Sequence, residues 1–110
     1  MTTTMPDVID RYLRAHDRLD TDASLATFAP DAAVVDDGHT YVGLDAIRGW
    51  LDHGASEYTY TRTLTGVDGD GADTFVVHNH LAGDFPGGEV DLRFRFELSD
   101  GLIRRLEIAP

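Results

Sequence analysis

A chain of 110 residues, 42% of them hydrophobic, is long enough for one cored domain and too short for two, and its lack of cysteine excludes disulfides, zinc–thiolate sites and cysteine nucleophiles. The net charge is −11, all nine basic residues are arginine and 16 of the 20 acids are aspartate, a balance that repels nucleic acid and anionic membranes. No apolar run approaches the roughly 20 residues of a membrane span, and MTTTMPDVID lacks the positive start and apolar stretch of a signal peptide, so a cytoplasmic protein with neither nucleic-acid nor membrane partners is expected.

Residues 7–19, DVIDRYLRAHDRL, set Val8, Ile9, Tyr12, Leu13, His16 and Leu19 at helical spacing, with Asp7, Asp10, Arg11, Arg14 and Asp17 on the other face. Pro6 and the acids of the first turn suit a helix start. Residues 20–29, DTDASLATFA, predict a second short helix, capped by Asp20 or Thr21 and stopped by Pro30. AAVVDD follows as a strand, with DDGHTYVG as a turn. GLDAIRGWLDHG is a third helix with Leu44, Ile47, Trp50 and Leu51 on one side and Gly54 at its end.

From Glu57 the period changes to two. SEYTYTRTLTGV sets Tyr58, Tyr60, Arg62 and Leu64 against a face made only of threonine, and DGDG at 68–71 signals a turn. DTFVVHNHLAGDF is the next strand and FPGGE its turn. EVDLRFRFEL puts Val90, Leu92, Phe94, Phe96 and Leu98 on one face, and SDG leads into a last strand, LIRRLEIA. The order α-α-β-α-β-β-β-β predicts one α+β domain over residues 1–110, a curved antiparallel sheet with helices covering one face.

This order, together with TFAPDAAVVDD, GLDAIRGWL and FELSDGLI, resembles the nuclear transport factor 2-like superfamily, in particular its SnoaL-like polyketide cyclase and ketosteroid isomerase-like branches. The resemblance covers nearly the whole chain. It implies a cystatin-like topology in which the sheet wraps the N-terminal helices as a cone-shaped α+β barrel, with the ligand or active site inside the cone and a homodimer formed through the outer sheet face. Carried over by residue, the general-base aspartate of the ketosteroid isomerase pattern falls on Asp36 and its oxyanion-hole tyrosine on Tyr12. The second oxyanion donor falls on Leu92 and a partner of the tyrosine on Phe28, so both depart from that pattern.

Read chemically, Tyr12 and His16 are neighbours one turn apart on the apolar helix face, as cavity groups or as a packed tyrosine with a satisfied core histidine. Alternation separates Asp36 from Asp37; if Asp36 faces in, an apolar cavity makes its carboxylate a better base for removing a proton beside a carbonyl, with Tyr12 donating to the developing enolate oxygen. Both aspartates also suit the turn that follows.

Trp50 and Phe28 suit the core or the cavity wall, and Asn79, Leu92 and Phe94 fall on the inward parity of their strands. Arg62 is placed to answer Asp36 or an acidic ligand, or else to reach the rim as a cross-strand partner. His78 and His80 go to the outer face with Arg95 as interface residues; two histidines at i, i+2 with no third ligand do not make a metal site, and no metal or other cofactor is expected. The leading expectation is a cofactor-independent isomerase or cyclase acting on a small apolar carbonyl compound, with Asp36, Tyr12 and His16 as its catalytic group. The alternatives are a non-catalytic small-ligand-binding or dimeric scaffold domain, and a hydratase or epoxide hydrolase using a cavity acid with Arg62.

Overall fold

A computed structural model describes residues 5–54, 59–69 and 71–110. Helix α1 (Asp7–Asp17) buries Val8, Ile9, Tyr12, Leu13, Ala15 and His16 along one stripe. Its solvent face carries two i, i+4 pairs, Asp7 with Arg11 at 2.8 Å and Asp10 with Arg14 at 2.9 Å, each worth only a few tenths of a kcal/mol at such exposure. The burial stripe, not these pairs, therefore holds the helix in place.

Helix α2 (Thr21–Leu25) is capped by Asp20, whose Oδ1 accepts the Ala23 N–H at 3.0 Å. It is shorter than the pattern predicts. Strand β1 (Phe28–Asp36) already begins before Pro30, because Phe28 pairs with Ile103 and the Ile103 N–H donates to the Thr27 carbonyl at 2.8 Å. Pro30 lies where the β1 ladder is interrupted, between Phe28 and Ala33, a position at which a residue without an N–H costs no sheet hydrogen bond.

The segment after Asp36 is a second correction. HTYV is a strand, β2 (His39–Val42), paired antiparallel with β1 from Ala33↔Val42 to Asp36↔His39. Only Asp37 and Gly38 form the turn, with φ of 51° and 75°, the two left-handed positions that an Asp-Gly hairpin supplies. Helix α3 (Leu44–Gly49) does not continue to Gly54 as an α-helix but widens into a π-helical turn, Trp50–Gly54. Trp50 and Leu51, which follow Ile47 at i+3 and i+4, are both buried in the core.

Strands β3 (Tyr60–Gly69), β4 (Thr74–Gly83), β5 (Glu89–Ser99) and β6 (Leu102–Ala109) form an antiparallel meander. The sheet order is β2-β1-β6-β5-β4-β3, an open curved sheet with helices on its inner face. The expected α+β architecture is observed with one refinement: β1 and β6 run parallel. Irregularities at Leu64/Gly66 and Glu97/Leu98 are the sites at which an extra residue bends a strand.

The core lies between the inner face of the sheet (Val34, Val77, Phe94, Phe96, Ile103, Leu106) and the apolar stripes of α1 and α3. Among the described residues no helix is long and apolar enough to cross a membrane.

Candidate functional site

One end of the core is not filled. A cavity of about 120 Å³ is walled by His16 from α1, Asp36 at the end of β1, Trp50 from the π-helical turn and Tyr60 from β3, and closed by Leu81, Leu92, Phe94 and Ile108 from the sheet. The wall is apolar except for one carboxylate, one imidazole, one indole N–H and one phenol. Asp36 is held by the Trp50 indole, whose Nε1–H donates to Asp36 Oδ2 at 3.0 Å. Asp37, in the positive-φ turn, is exposed.

Tyr12 is fully buried, at 0% exposure, and is not a wall of this cavity. Its ring stands edge-on to Phe28 at 5.4 Å and to Phe96 at 5.8 Å, and its hydroxyl meets His16 Nδ1 at 2.9 Å. Burial pushes the Tyr12 phenol well above its ordinary value; Tyr60, Asp36 and Asp17 push the same way and Arg62 opposes them. The Tyr60 phenol is also raised, chiefly by burial and then by Asp17, against the pull of Arg62. Both phenols therefore stay protonated and can donate.

Arg62 does not answer Asp36. Its Nε and one terminal nitrogen donate to the two oxygens of Asp17 at 2.9 and 2.7 Å, and the other terminal nitrogen donates to Asn79 Oδ1 at 2.9 Å. This bidentate geometry ties the end of α1 to β3 and β4. Asn79 is 1% exposed, and its Nδ2 has no hydrogen-bond partner among the described residues.

Arg62→Met is expected to cost about 1–3 kcal/mol, because it strips the donor from a buried amide oxygen while Asp17, part-exposed, rehydrates. Urea unfolding measures it; an unchanged midpoint would show that the network contributes nothing.

Of the sequence-predicted set, His16, Asp36, Trp50, Leu92 and Phe94 meet at the cavity, whereas Tyr12 and Phe28 pack behind it and Arg62 and Asn79 form the neighbouring network. Tyr60, Leu81 and Ile108 were not singled out. The signal for the first two was there, since Tyr60 shares the parity of Arg62 and Leu81 that of Asn79; Ile108 follows only from its pairing with Phe94. Tyr58 lies outside the described residues.

The outer face holds a larger depression of about 560 Å³ between Thr65, His78, Asp91 and Arg93, bounded mostly by exposed side chains. There His78 Nε2 meets Asp68 at 2.8 Å, and His80 lies between Asp91 at 2.7 Å and Glu89 at 3.2 Å. Hydrogen bonds to Asp91 and then Glu89 raise the His80 pKa above its ordinary 6.5. A raised histidine pKa contributes stability that is full below 6.5 and lost as the pH climbs through the raised value. His80→Gln is therefore expected to remove part of the fall in melting temperature above pH 6.5. Identical slopes for the two proteins would refute this.

Several solved structures share this fold. A candidate polyketide cyclase from Sinorhizobium meliloti is 37% identical, with 96% of this chain aligned to 95% of that one at a TM-score of 0.89. A protein of ketosteroid isomerase-like fold from Catenulispora acidiphila, in complex with trimethylamine, is 20% identical over 97% of this chain and 87% of its own, with a TM-score of 0.83. Rv0760c from Mycobacterium tuberculosis, in complex with estradiol-17β-hemisuccinate, is 20% identical over 94% and 90%, with a TM-score of 0.78. At 20% identity the last two carry the fold alone. Among curated proteins none matches at the same stringency. The SnoaL-like domain model matches residues 9–106, and the chain belongs to that family, within the nuclear transport factor 2-like superfamily.

Proposed function

We propose that this protein binds a small, largely apolar carbonyl compound in the cavity and that Asp36 removes a proton from the carbon beside the carbonyl, in an isomerisation or cyclisation that needs no cofactor. One observation carries the reading: a single carboxylate, held by the Trp50 N–H, shares a mostly apolar cavity wall with an imidazole and a phenol. In the step, the C–H bond breaks toward the Asp36 oxygen and its electron pair moves to the carbonyl oxygen as an enolate. Asp36, now protonated, returns the proton at another carbon. Charge developing on the enolate oxygen is met by hydrogen-bond donors in the cavity wall.

At about 120 Å³ the cavity is smaller than the roughly 300 Å³ that holds a drug-sized ligand. A single ring or a short chain is the substrate size it suits. The naming of the Sinorhizobium meliloti protein as a candidate polyketide cyclase supports carbonyl chemistry.

Binding without turnover is the second reading, favoured by the estradiol hemisuccinate and trimethylamine held by two structures of the same fold. Hydration or epoxide opening has less support, because Arg62, its charged partner, is already committed to Asp17.

The test uses cyclohex-3-enone in D2O, followed by proton NMR. Loss of the α-proton signal or appearance of the conjugated ketone, abolished in Asp36→Asn, is the expected result. Probe binding with no exchange above buffer, equal in the two proteins, would overturn catalysis in favour of binding.

A further inference from the structure

We propose that Tyr60, from β3, donates the hydrogen bond received by the substrate's carbonyl oxygen. The inference rests on the cavity being the carbonyl site, and it departs from the expectation that Tyr12 reaches the substrate.

Among the described residues four polar side chains line the cavity: His16, Asp36, Trp50 and Tyr60. Asp36 is the base, and its Oδ2 takes the Trp50 indole N–H at 3.0 Å, which commits that donor. His16 meets the Tyr12 hydroxyl through Nδ1 at 2.9 Å, and its Nε2 is a buried atom with no surface for a ligand to reach. Tyr12 itself is fully buried and is not a wall of the cavity. The phenol of Tyr60 is the donor that remains.

Its hydroxyl is both open and unengaged. Among the described residues no hydrogen bond ends on it, yet it is not one of the side-chain atoms sealed from solvent. A tyrosine hydroxyl in a mostly apolar wall finds its partner in whatever occupies the cavity. Burial, and after it Asp17 and Asp36, holds this phenol above its ordinary value against the pull of Arg62, so it keeps its proton to donate.

The base and the donor come from different parts of the sheet. Asp36 is on β1 and Tyr60 on β3, strands that the sheet order separates by β6, β5 and β4. Curvature brings both to one cavity, and the intervening strands supply its apolar wall, Leu81, Leu92, Phe94 and Ile108. The substrate lies on that wall with its carbonyl oxygen toward β3 and the acidic carbon toward β1. When the C–H bond breaks toward Asp36, the electron pair moves to the carbonyl oxygen, and the Tyr60 O–H, keeping its own proton, holds the charge there. Leu92, where the family pattern has its second donor, offers only carbon from its side chain.

The experiment is carbon-13 NMR of cyclohex-2-enone labelled at the carbonyl and bound to the full chain, beside exchange kinetics on cyclohex-3-enone. On binding to the wild type the carbonyl signal is expected to move downfield, as it does when a carbonyl accepts a hydrogen bond, and Tyr60→Phe should abolish that movement. The same substitution should lower kcat for exchange by about 10²–10³-fold with little change in KM, the scale of one removed oxyanion donor.

A bound carbonyl signal that does not move in the wild type, or moves equally in Tyr60→Phe, would overturn the donor assignment. If Asp36→Asn stops exchange while Tyr60→Phe leaves kcat unchanged, the base stands and the donor role falls. If the enone does not bind, the carbonyl-site reading falls and the donor role with it. Should Tyr60→Phe not fold, tyrosine labelled at Cζ in the wild type decides: the Tyr60 signal moves when the enone binds, or the assignment is wrong.

Discussion

Asp36→Asn is expected to slow α-proton exchange of cyclohex-3-enone by about 10²–10⁴-fold, the usual contribution of a positioned general base. The substitution is nearly isosteric and leaves an amide that can still accept the Trp50 N–H through its oxygen, so the bond at 3.0 Å survives when the amide turns that way. What is lost is the basic lone pair. The expected signature is a drop in kcat with little change in the unfolding midpoint, since the carboxylate is only part-buried and has an exposed route to hydration. An exchange rate within a factor of two or so of wild type, at full occupancy of the probe, would remove Asp36 from the chemistry.

Phe96→Ala is expected to produce the largest loss of stability, about 3–5 kcal/mol, by removing a fully buried ring and leaving a void. Phe96 lies at 5.8 Å from Tyr12 and 6.4 Å from Phe94, so the void opens beneath α1 at the turn that carries the Tyr12–His16 pair. With a total stability of roughly 5–15 kcal/mol for a domain of this kind, such a loss consumes a large share of the folded state's margin. It should appear as a lower denaturant midpoint with an unchanged slope. A loss below about 1 kcal/mol would mean that the sheet under Tyr12 is loosely packed or readily collapses.

The space near the cavity mouth is set by backbone contacts as well. Gly83 faces Tyr60 across the β3–β4 ladder, and a Cβ at Gly83 would meet the Thr59 carbonyl oxygen and lie 2.6 Å from the Tyr60 Cβ. A glycine at this position lets the strands approach closely enough to bring Tyr60 against the cavity.

Much of this was legible in the chain itself. Helix α1 and the alternation of β5 were readable because burial periods of 3.6 and 2 are written directly in side-chain polarity. The Asp-Gly pairs at 37–38 and 100–101 were readable as turns, and all four residues have positive φ. The strand HTYV was not, because a four-residue edge strand has no room to show a period and exists through its pairing with β1. The early start of β1 was hidden for a similar reason: its first residue is held by Ile103, 75 positions further along.

By itself, then, the sequence determined the class of fold, the apolar faces, the two tight turns and the presence of Asp36 at the end of an inward-reaching strand. Only the tertiary structure decided the partners of the polar groups: Asp36 with Trp50, 14 residues away, Arg62 with Asp17, 45 residues away, and Tyr12 with His16 instead of the cavity. The physical reason is that polarity and spacing specify which face a side chain occupies. The atom it meets on that face depends on where distant elements come to rest, and for a buried polar group that atom decides what chemistry it can do.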